Sequence, residues 1–506
     1  MNTKLLKQKI LDLAIRGKLT QQLKNDGTAA DLLKEIVDAK SALSQPKGKK
    51  SKRFVPISRI YCENGVWFEQ LENAKPKDIS EEIPFEIPEN WTWCRLECVC
   101  FDIADIDHKM PAVCDNGIPY ISPLNFVANN KIDFAGAKKI SKEDFLQLSK
   151  KCKPERGDII FPRYGTIGVI RTVETDIDFL VSYSCATIKP CKNHMDARYV
   201  SALLQSPLIQ EIEIPRYINK TTQANVGLQS IKKFLFALPP LAEQQRIVEK
   251  IQEAFAEIDS IENNKELLKI HIKQTRQKIL DLAIHGKLVP QNKSDEPASV
   301  LLERITRDNP HYEKLIDIPF EIPDSWEWVK LGDVVKQVTD FVASGSFASL
   351  RENVKYYKEE NYAILVRTLD FRNNFEKDLT YTDKHGYEFL SNSNLFGGEL
   401  LLSNIGSIGK VFIVPKLNKR MTLAPNSIMV RHYDDSQRDW LYYFFLSPVG
   451  QEVLLSISSS TTQAKFNKTQ LKGVLVPLPP LAEQKRIVDK IEEIFASLNE
   501  ISLHLV

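Results

Sequence analysis

Between Glu243 and Gly286 the chain contains neither glycine nor proline, and isoleucine returns every seven residues at Ile251, Ile258, Ile272 and Ile279, with Lys265 interrupting the series. Three residues after each of these stand Ala254, Ile261, Leu268, Thr275 and Leu282. A seam of that period predicts a helix that packs along a second helix. Pro239 and Pro240 fix its entry and Gly286 its stop, so at roughly 1.5 Å per residue it would reach about 65 Å. The same apolar stripe reappears near both ends of the chain, at Ile491, Ile494, Leu498, Ile501 and Leu505, and at Ile10 and Leu13.

Elsewhere the pattern changes. Residues 83–238 and 318–476 hold short β-type runs such as "DIIFP", "VSYSCATI", "ELLLSNIG" and "KVFIV", punctuated by Gly, Pro and Asn. A few helical stretches, "DARYVSALLQS" and "RDWLYYFFLS", lie among them. Mixed α/β or α+β units are expected.

The two halves repeat one another. "KQKILDLAIRGKL" from Lys7 returns as "RQKILDLAIHGKL" from Arg276, an offset of 269. "IPFEIPENWTW" from Ile83 returns as "IPFEIPDSWEW" from Ile318, an offset of 235. "YGTIG" at Tyr164 matches "IGSIG" at Ile405, "TTQA" occurs at Thr221 and Thr461, and "PPLAEQQRIVEKI" at Pro239 matches "PPLAEQKRIVDKI" at Pro479. The drop from 269 to 235 places 34 extra residues in the first copy, between Ile36 and Ile83. That window includes "QPKGKKSKRF", where Lys47, Lys49, Lys50, Lys52 and Arg53 read as a solvated linker, or alternatively as a basic arm. In the middle the phrase "LAEQ.RIV" runs on into "QKILDLAI"; at the ends it is split, one part opening the chain and the other closing it. The expected arrangement is therefore circular, with approximate two-fold symmetry and two antiparallel coiled-coil connectors.

Length and 43% apolar content suit a globular protein with about three cores. The 68 basic and 66 acidic residues nearly cancel, so any polyanion site must be local. No apolar run reaches the length of a membrane span, and the N-terminus lacks the apolar stretch of a signal peptide; a cytoplasmic protein is expected. The eight cysteines all fall in the first 191 residues. "CRLECVC" lacks a second pair to close a zinc tetrahedron, so Cys98 and Cys100 are read as alternating in a strand, with reduced, buried thiols. The expected metal set is empty.

No catalytic constellation emerges. "LPPL" at Leu238 and Leu478, "NPHY" at Asn309 and "DFAGA" at Asp133 each miss essential parts of a methyltransferase loop or cofactor turn. A phosphate-binding G-x-x-x-x-G-K-[ST] is absent, and the eight histidines show no i, i+4 pair on a predicted helix. An unread methyltransferase or nuclease, and a coiled-coil scaffold that never touches nucleic acid, are the competing readings; catalysis is expected to belong to another chain.

Two divergent modules, two helical spacers and module ends of the form "TTQA...LPPLAEQ.RIV.KI" resemble the specificity (S) subunit of type I restriction-modification systems. The resemblance covers nearly the whole chain, through "LAEQQRIVEKI", "RQKILDLAIHGKLVPQ", "FEIPDSWEWVKLGDV" and "LPPLAEQKRIVDKI". It implies a non-catalytic subunit of α+β class, with two similar globular α/β target-recognition domains separated by long antiparallel coiled-coil helices in a pseudo-two-fold circular arrangement. Each domain would read half of a bipartite, asymmetric site in double-stranded DNA. The helices would dock two methyltransferase (M) subunits, with restriction/translocase (R) subunits added. S-adenosylmethionine, ATP and Mg2+ are expected on those partners, and no cofactor on this chain. Major grooves one turn apart, about 34 Å, lie on the same DNA face, within reach of such a spacer.

The domain plan is then 1–22 as an N-terminal helix, 23–82 as a linker with the insertion, 83–238 as the first recognition domain and 239–289 as the central connector. Residues 290–317 form a second linker, 318–476 the second recognition domain and 477–506 the C-terminal connector. Coiled-coil or partner-docking positions are Ile251, Ile258, Ile261, Leu268, Ile272, Ile279, Leu282, Ile491, Ile494, Leu498, Ile501, Ile10 and Leu13.

DNA-contacting candidates in the first unit, by analogy with the family's polar loops and Gly-rich turn, are Lys109, Asn116, Ser122 and Asn125. Arg163, Tyr164 and Thr166 follow in "FPRYGTIG", then Lys220, Thr221, Thr222, Gln223 and Asn225. In the second unit they are Ser344, Ser346, Arg351, Asn353, Lys355 and Arg367, then Asn404, Ser407 and Lys410. Ser460, Thr461, Thr462, Gln463, Lys465 and Asn467 complete the set. Arg can fork onto guanine, Asn and Gln onto adenine, and Lys, Thr or backbone amides onto phosphate. The two "TTQA" stretches recur amid unlike text, which suits a contact that carries no sequence information.

Overall fold

The computed structural model describes residues 2–43, 58–71, 74–107, 110–128, 130–219, 224–307, 315, 318–459 and 464–505. It divides into two compact units, Met1–Asn263 and Asn264–Val506. The basic stretch from Lys47 to Arg53 lies outside the described residues.

Each unit contains the same set of parts. In the first, Thr92–Arg95 pairs antiparallel with Leu235–Leu238, tying the start of the module to its end. Glu327–Lys330 and Leu475–Leu478 do the same in the second. A four-stranded antiparallel sheet of the first unit runs in the order Arg171–Thr172, Ile159–Pro162, Cys185–Pro190, Cys100–Ala104. Its counterpart runs Val411–Ile413, Leu400–Ser403, Ser427–Arg431, Gln337–Asp340. A further sheet in each unit is built on one parallel pair, Leu180–Val181 with Ile118–Ile121 and Met421–Leu423 with Ala363–Val366. The edges differ: Val113–Cys114 extends the first sheet beside Lys138–Ile140, whereas Asn394–Leu395 joins the second beside Met421–Leu423. The β-type runs read from sequence thus all contain strands, and the predicted helical stretches become Ala197–Gln205 and Asp435–Leu446.

The unbroken segment after Pro240 is a single helix, Leu241–Ile284. In the first unit the helix Thr3–Ile15 lies antiparallel to its early part: Thr3 bonds Glu262, Lys7 pairs with Asp259, and Lys7 Nζ sits 5.5 Å from the Phe255 ring. In the second unit Leu481–Leu503 lies antiparallel to its later part, with Arg276 Nη2 donating to Asn499 Oδ1 at 2.6 Å.

The buried stripe is wider than the predicted seam. Ile251, Ile258, Ile272 and Ile491 are buried, but the neighbouring core positions are Leu11, Ala14 and Ile15, Leu280, Ala283 and Ile284, and Ile487. These follow the i, i+3, i+4 rule of a helix lying on a globular core, not the narrower two-helix seam. Ile10, Leu13, Ile279, Leu282, Ile494 and Leu498 are half-buried. Ile261, Leu268 and Ile501, expected in the seam, are exposed.

Three repeated phrases meet at one carboxylate in each unit. Glu243, fully buried, accepts hydrogen bonds from Trp91 Nε1 at 2.9 Å, Gln22 Nε2 at 2.9 Å and Thr20 Oγ1 at 3.2 Å. Glu483 accepts from Trp326 Nε1 at 3.0 Å and Gln291 Nε2 at 2.5 Å. The carboxylate stands in the first helical turn, where the free backbone N–H groups favour negative charge. Alongside, Arg246 pairs with Asp26 and Arg486 with Asp295, each at 2.6 Å. Gln244 and Gln484 then donate back to Pro239 O and Pro479 O, closing the Pro-Pro entry. The helix-ending glycines are equally constrained: Gly17 and Gly286 take φ of +66° and +65°, and a Cβ on either would come within 2.4 Å of Pro88 or Pro323 Cγ.

The stretches read as linkers are folded. Residues 23–82 hold the helix Ala29–Leu43 and an antiparallel meander, Arg59–Glu63, Val66–Gln70 and Lys77–Asp78. Residues 290–317 hold the helix Ala298–Thr306. The two helices start 269 residues apart, so the meander is the insertion, and its apolar face is anchored by Ile60 and Trp67 in the first core. Glu69 of the meander and Glu82 together hold the buried Arg95, at 2.6 and 2.8 Å, and raise its already high pKa further against the cost of burial.

Candidate nucleic-acid interface

The Gly-rich turn of each unit begins where a central strand leaves its sheet, and the segment after the repeated Thr-Thr-Gln folds back onto it. Tyr164 and Asn225 form an isolated antiparallel bridge, as do Ile405 and Lys465. Val226 N donates to Arg163 O at 3.0 Å and Phe466 N to Asn404 O at 3.1 Å. Two motifs some 60 residues apart in each half are therefore one surface, built twice.

A glutamine fixes the far end of each turn. Gln210 Nε2 donates to Gly168 O at 3.1 Å and to Leu204 O at 2.8 Å. Gln451 Nε2 donates to Gly409 O at 2.9 Å and to Phe445 O at 2.6 Å. Both glycines have positive φ, +78° and +88°, and a Cβ on either would strike the glutamine side chain. Neither glutamine is among the sequence-predicted positions; their separation of 241 residues, equal to that of the turns, was the available signal.

Several predicted contacts gather on these surfaces. Thr166 is exposed and Tyr164 half-buried in the first turn, with Asn225 beside them. In the second, Ser407 is exposed, Lys410 Nζ lies 3.3 Å from its Oγ, and Lys465 is exposed on the bridged strand. The loop and helix of residues 341–353 come to the same place, since Phe341, Val342 and Phe347 line a cleft with Ile405 and Lys465. Ser344 is half-buried with an unpartnered Oγ, and Arg351 and Lys355 are exposed nearby in sequence. Asn116 is exposed in the turn between Val113–Cys114 and Ile118–Ile121. Lys109, Lys220, Thr221, Thr222 and Gln223, and Ser460, Thr461, Thr462 and Gln463, lie outside the described residues.

Other candidates hold the fold instead of facing outward. Arg163 is 4% exposed; its Nη2 meets Asp105 Oδ2 at 2.6 Å and Tyr183 O at 2.9 Å, so the fork expected for guanine is spent inside. Arg367 grips the fully buried Asp370 at 2.5 Å and also Asp378 O. Ser122 and Asn125 cap one short turn together, at 3.0 Å from Ser122 N to Asn125 Oδ1. Ser346 and Asn467 are helix N-caps, and Asn353 bridges Ser349 O and His385; Asn404 commits only its Nδ2, to Phe466 O at 2.9 Å, and its Oδ1 has no partner among the described residues. Small polar residues before a short helix are what capping requires, which is why they mimic contact residues in sequence.

The cysteine cluster is also resolved. Cys94 lies in Thr92–Arg95, Cys98 in a 3-10 turn and Cys100 in the following strand, so Cys98 and Cys100 do not share a strand as expected. All three are buried free thiols; desolvation pushes Cys98 up to about 12. Cys62 is exposed and Cys114 half-buried. Among the described residues no group of three His, Cys, Asp or Glu is placed to hold a metal ion, and no helix is long and apolar enough to cross a membrane.

A model of the type I restriction modification DNA specificity domain matches the chain twice, over residues 89–270 and 323–504. The chain belongs to this family. It is a specificity subunit, the non-catalytic DNA-recognition component of a type I restriction-modification system, and the two matches coincide with the two duplicated modules. It is 24% identical to the type I restriction enzyme EcoEI specificity subunit of Escherichia coli, over 99% of this chain and 90% of that one. It is likewise 24% identical to the EcoAI specificity subunit of Escherichia coli, over 98% and 90%. The HsdS subunit from Thermoanaerobacter tengcongensis shares the fold at 20% identity and a TM-score of 0.51, covering 84% of this chain and 93% of that one. The specificity subunit thus has an α+β architecture of two like recognition units and long helices.

Proposed function

We propose that this specificity subunit reads a bipartite, asymmetric DNA site, one half with each unit, and docks two methyltransferase subunits and the restriction subunits of its complex. The observation that carries this reading is the unequal divergence of the two halves. The Glu-Trp pair and the Pro-Pro entry repeat residue for residue, and the backbone bridge behind each Gly-rich turn repeats position for position. The turns themselves differ, "RYGTIG" against "NIGSIG", as do the loops beside them. Repeated helices offer equivalent platforms to identical partners, and unlike loops on equal frames offer two DNA words. S-adenosylmethionine, ATP and Mg2+ belong to the partner subunits, and the complex works in the cytoplasm.

The reading surface of each unit is the Gly-rich turn with the strand that follows Thr-Thr-Gln. Thr166 and Asn225 serve the first unit, and Ser407, Lys410 and Lys465 the second. Exchange of residues 337–475 for the equivalent unit of a relative, followed by methylome sequencing with the native methyltransferase, tests this directly. One half of the methylated site should change. Alteration of both halves, or of neither, would refute it.

A further inference from the structure

The two units share a frame at the Gly-rich turn but fill it differently. Pro162 stands opposite Cys185 and Ser403 opposite Ser427. Arg163 N then donates to Ser184 O, and Asn404 N to Asn426 O. Asn404 therefore occupies the place of Arg163, and Ser427 that of Cys185. Ala104 faces Thr187, and Asp340 faces Ile428, the residue after Ser427, so Asp340 takes the place of Asp105. In the first unit the Arg163 guanidinium fills this space and binds Asp105. In the second the shorter Asn404 leaves a cleft of about 540 Å³, lined among others by Asp340, Phe341, Asn404, Asn426, Ser427 and Phe466.

Polar atoms enclosed in the cleft wall find no hydrogen-bond partner among the described residues. Ser427 is 2% exposed and its Oγ has no hydrogen-bond partner, and Asn404 Oδ1 is likewise buried and unpartnered. Asp340 turns one oxygen to Lys468 at 3.0 Å. Phe341 and Phe466, both buried, form apolar walls. Buried polar atoms left alone are costly, and a site that supplies their missing partners recovers that cost on binding.

We infer that this cleft is a base-reading slot peculiar to the second unit, taking the amino-bearing edge of an adenine. The inference rests on the DNA reading above. Asn404 Oδ1 accepts from the exocyclic amine, and the Ser427 hydroxyl donates to the ring nitrogen beside it. Cytosine offers the amine without that ring acceptor, whereas guanine and thymine turn an oxygen toward Asn404 and Asp340 and are refused. The first unit, plugged by its own arginine, reads its half-site without such a slot.

The test uses the complex assembled with its methyltransferase subunits and duplexes bearing its methylated site. At each adenine of the half-site assigned to the second unit, the base is replaced by purine, which lacks the amino group. One position should lose about 5- to 150-fold in affinity with the wild-type complex. In Asn404→Arg, which plugs the cleft as Arg163 does, that sensitivity should vanish while the other half-site keeps its full discrimination. Ser427→Ala, a smaller change, guards against a misfolded arginine variant and should blunt the same position, with thermal unfolding checking the fold of each. Absence of any amine-dependent position in that half, or equal dependence in wild type and both variants, overturns the slot. Failure of the unit exchange to alter either half would instead overturn the DNA reading itself.

Discussion

The carboxylate of Glu483 accepts the indole N–H of Trp326 at 3.0 Å inside the second unit, and burial raises its pKa from the ordinary 4.5. A carboxyl whose pKa is raised by folding contributes its full stability below the unfolded value and loses it as pH climbs through the folded one. Glu483→Gln keeps an acceptor for Trp326 but cannot ionise. Thermal unfolding from pH 4 upward should therefore show the wild type losing ground to Glu483→Gln as pH rises. A constant gap, or one that moves the other way, would contradict the assignment.

Arg163 and Asp105 are both almost fully enclosed, and with the arginine removed only the half-exposed Lys151, 3.6 Å from the other carboxylate oxygen, would still answer the buried charge. Arg163→Met should destabilise the first unit by about 3–5 kcal/mol, while the double change with Asp105→Leu should recover most of that loss. Calorimetry on the single and double variants decides this. If Arg163→Met leaves stability intact and changes only half-site choice, the arginine reads DNA after all.

Lys410 and Lys465 stand on the second turn and its bridged strand, where phosphate contact is expected. Alanine at either should weaken binding to all sequences alike and reduce the salt slope of log K by about 0.9 per lost phosphate. Titrations at several salt concentrations give that slope. A loss confined to one DNA sequence would point to base contact in place of phosphate contact.

The helix Leu241–Ile284 runs without a break across Asn263, the last residue of the first unit. Four helical residues inserted there add about 6 Å, or one to two base-pair steps. Methylome sequencing should show the two recognised words moved apart by that amount. An unchanged spacing would mean that the helix is not the ruler.

The duplication was readable because identity at fixed offsets needs no knowledge of structure. It located both modules, the long helix, the turns that share a surface and the insertion. Burial was harder to read. Heptad counting named Ile261 and Leu268, but the helices rest on globular cores, which select Leu280, Ala283 and Ile284 as well. Among polar residues the sequence could not separate a side chain that reaches outward from one that caps or pairs within. Arg163 and Arg367 read as DNA contacts because arginine often is one; the structure gives each guanidinium a carboxylate partner within the fold, Asp105 and Asp370. Asp370 is three residues from Arg367 and was a visible cue, whereas Asp105 is 58 residues from Arg163 and was not.

The meander has a consequence for Arg95. Arg95 faces Leu235 just as Lys330 faces Leu475, so the two are the same position in sister modules. Among the described residues only the first has a meander, and there Glu69 answers the arginine. Excision of residues 58–79 would strand that guanidinium beside Glu82 alone. Insertion and arginine are thus coupled through one ion pair, so a change that removes either leaves the other short of its counter-charge.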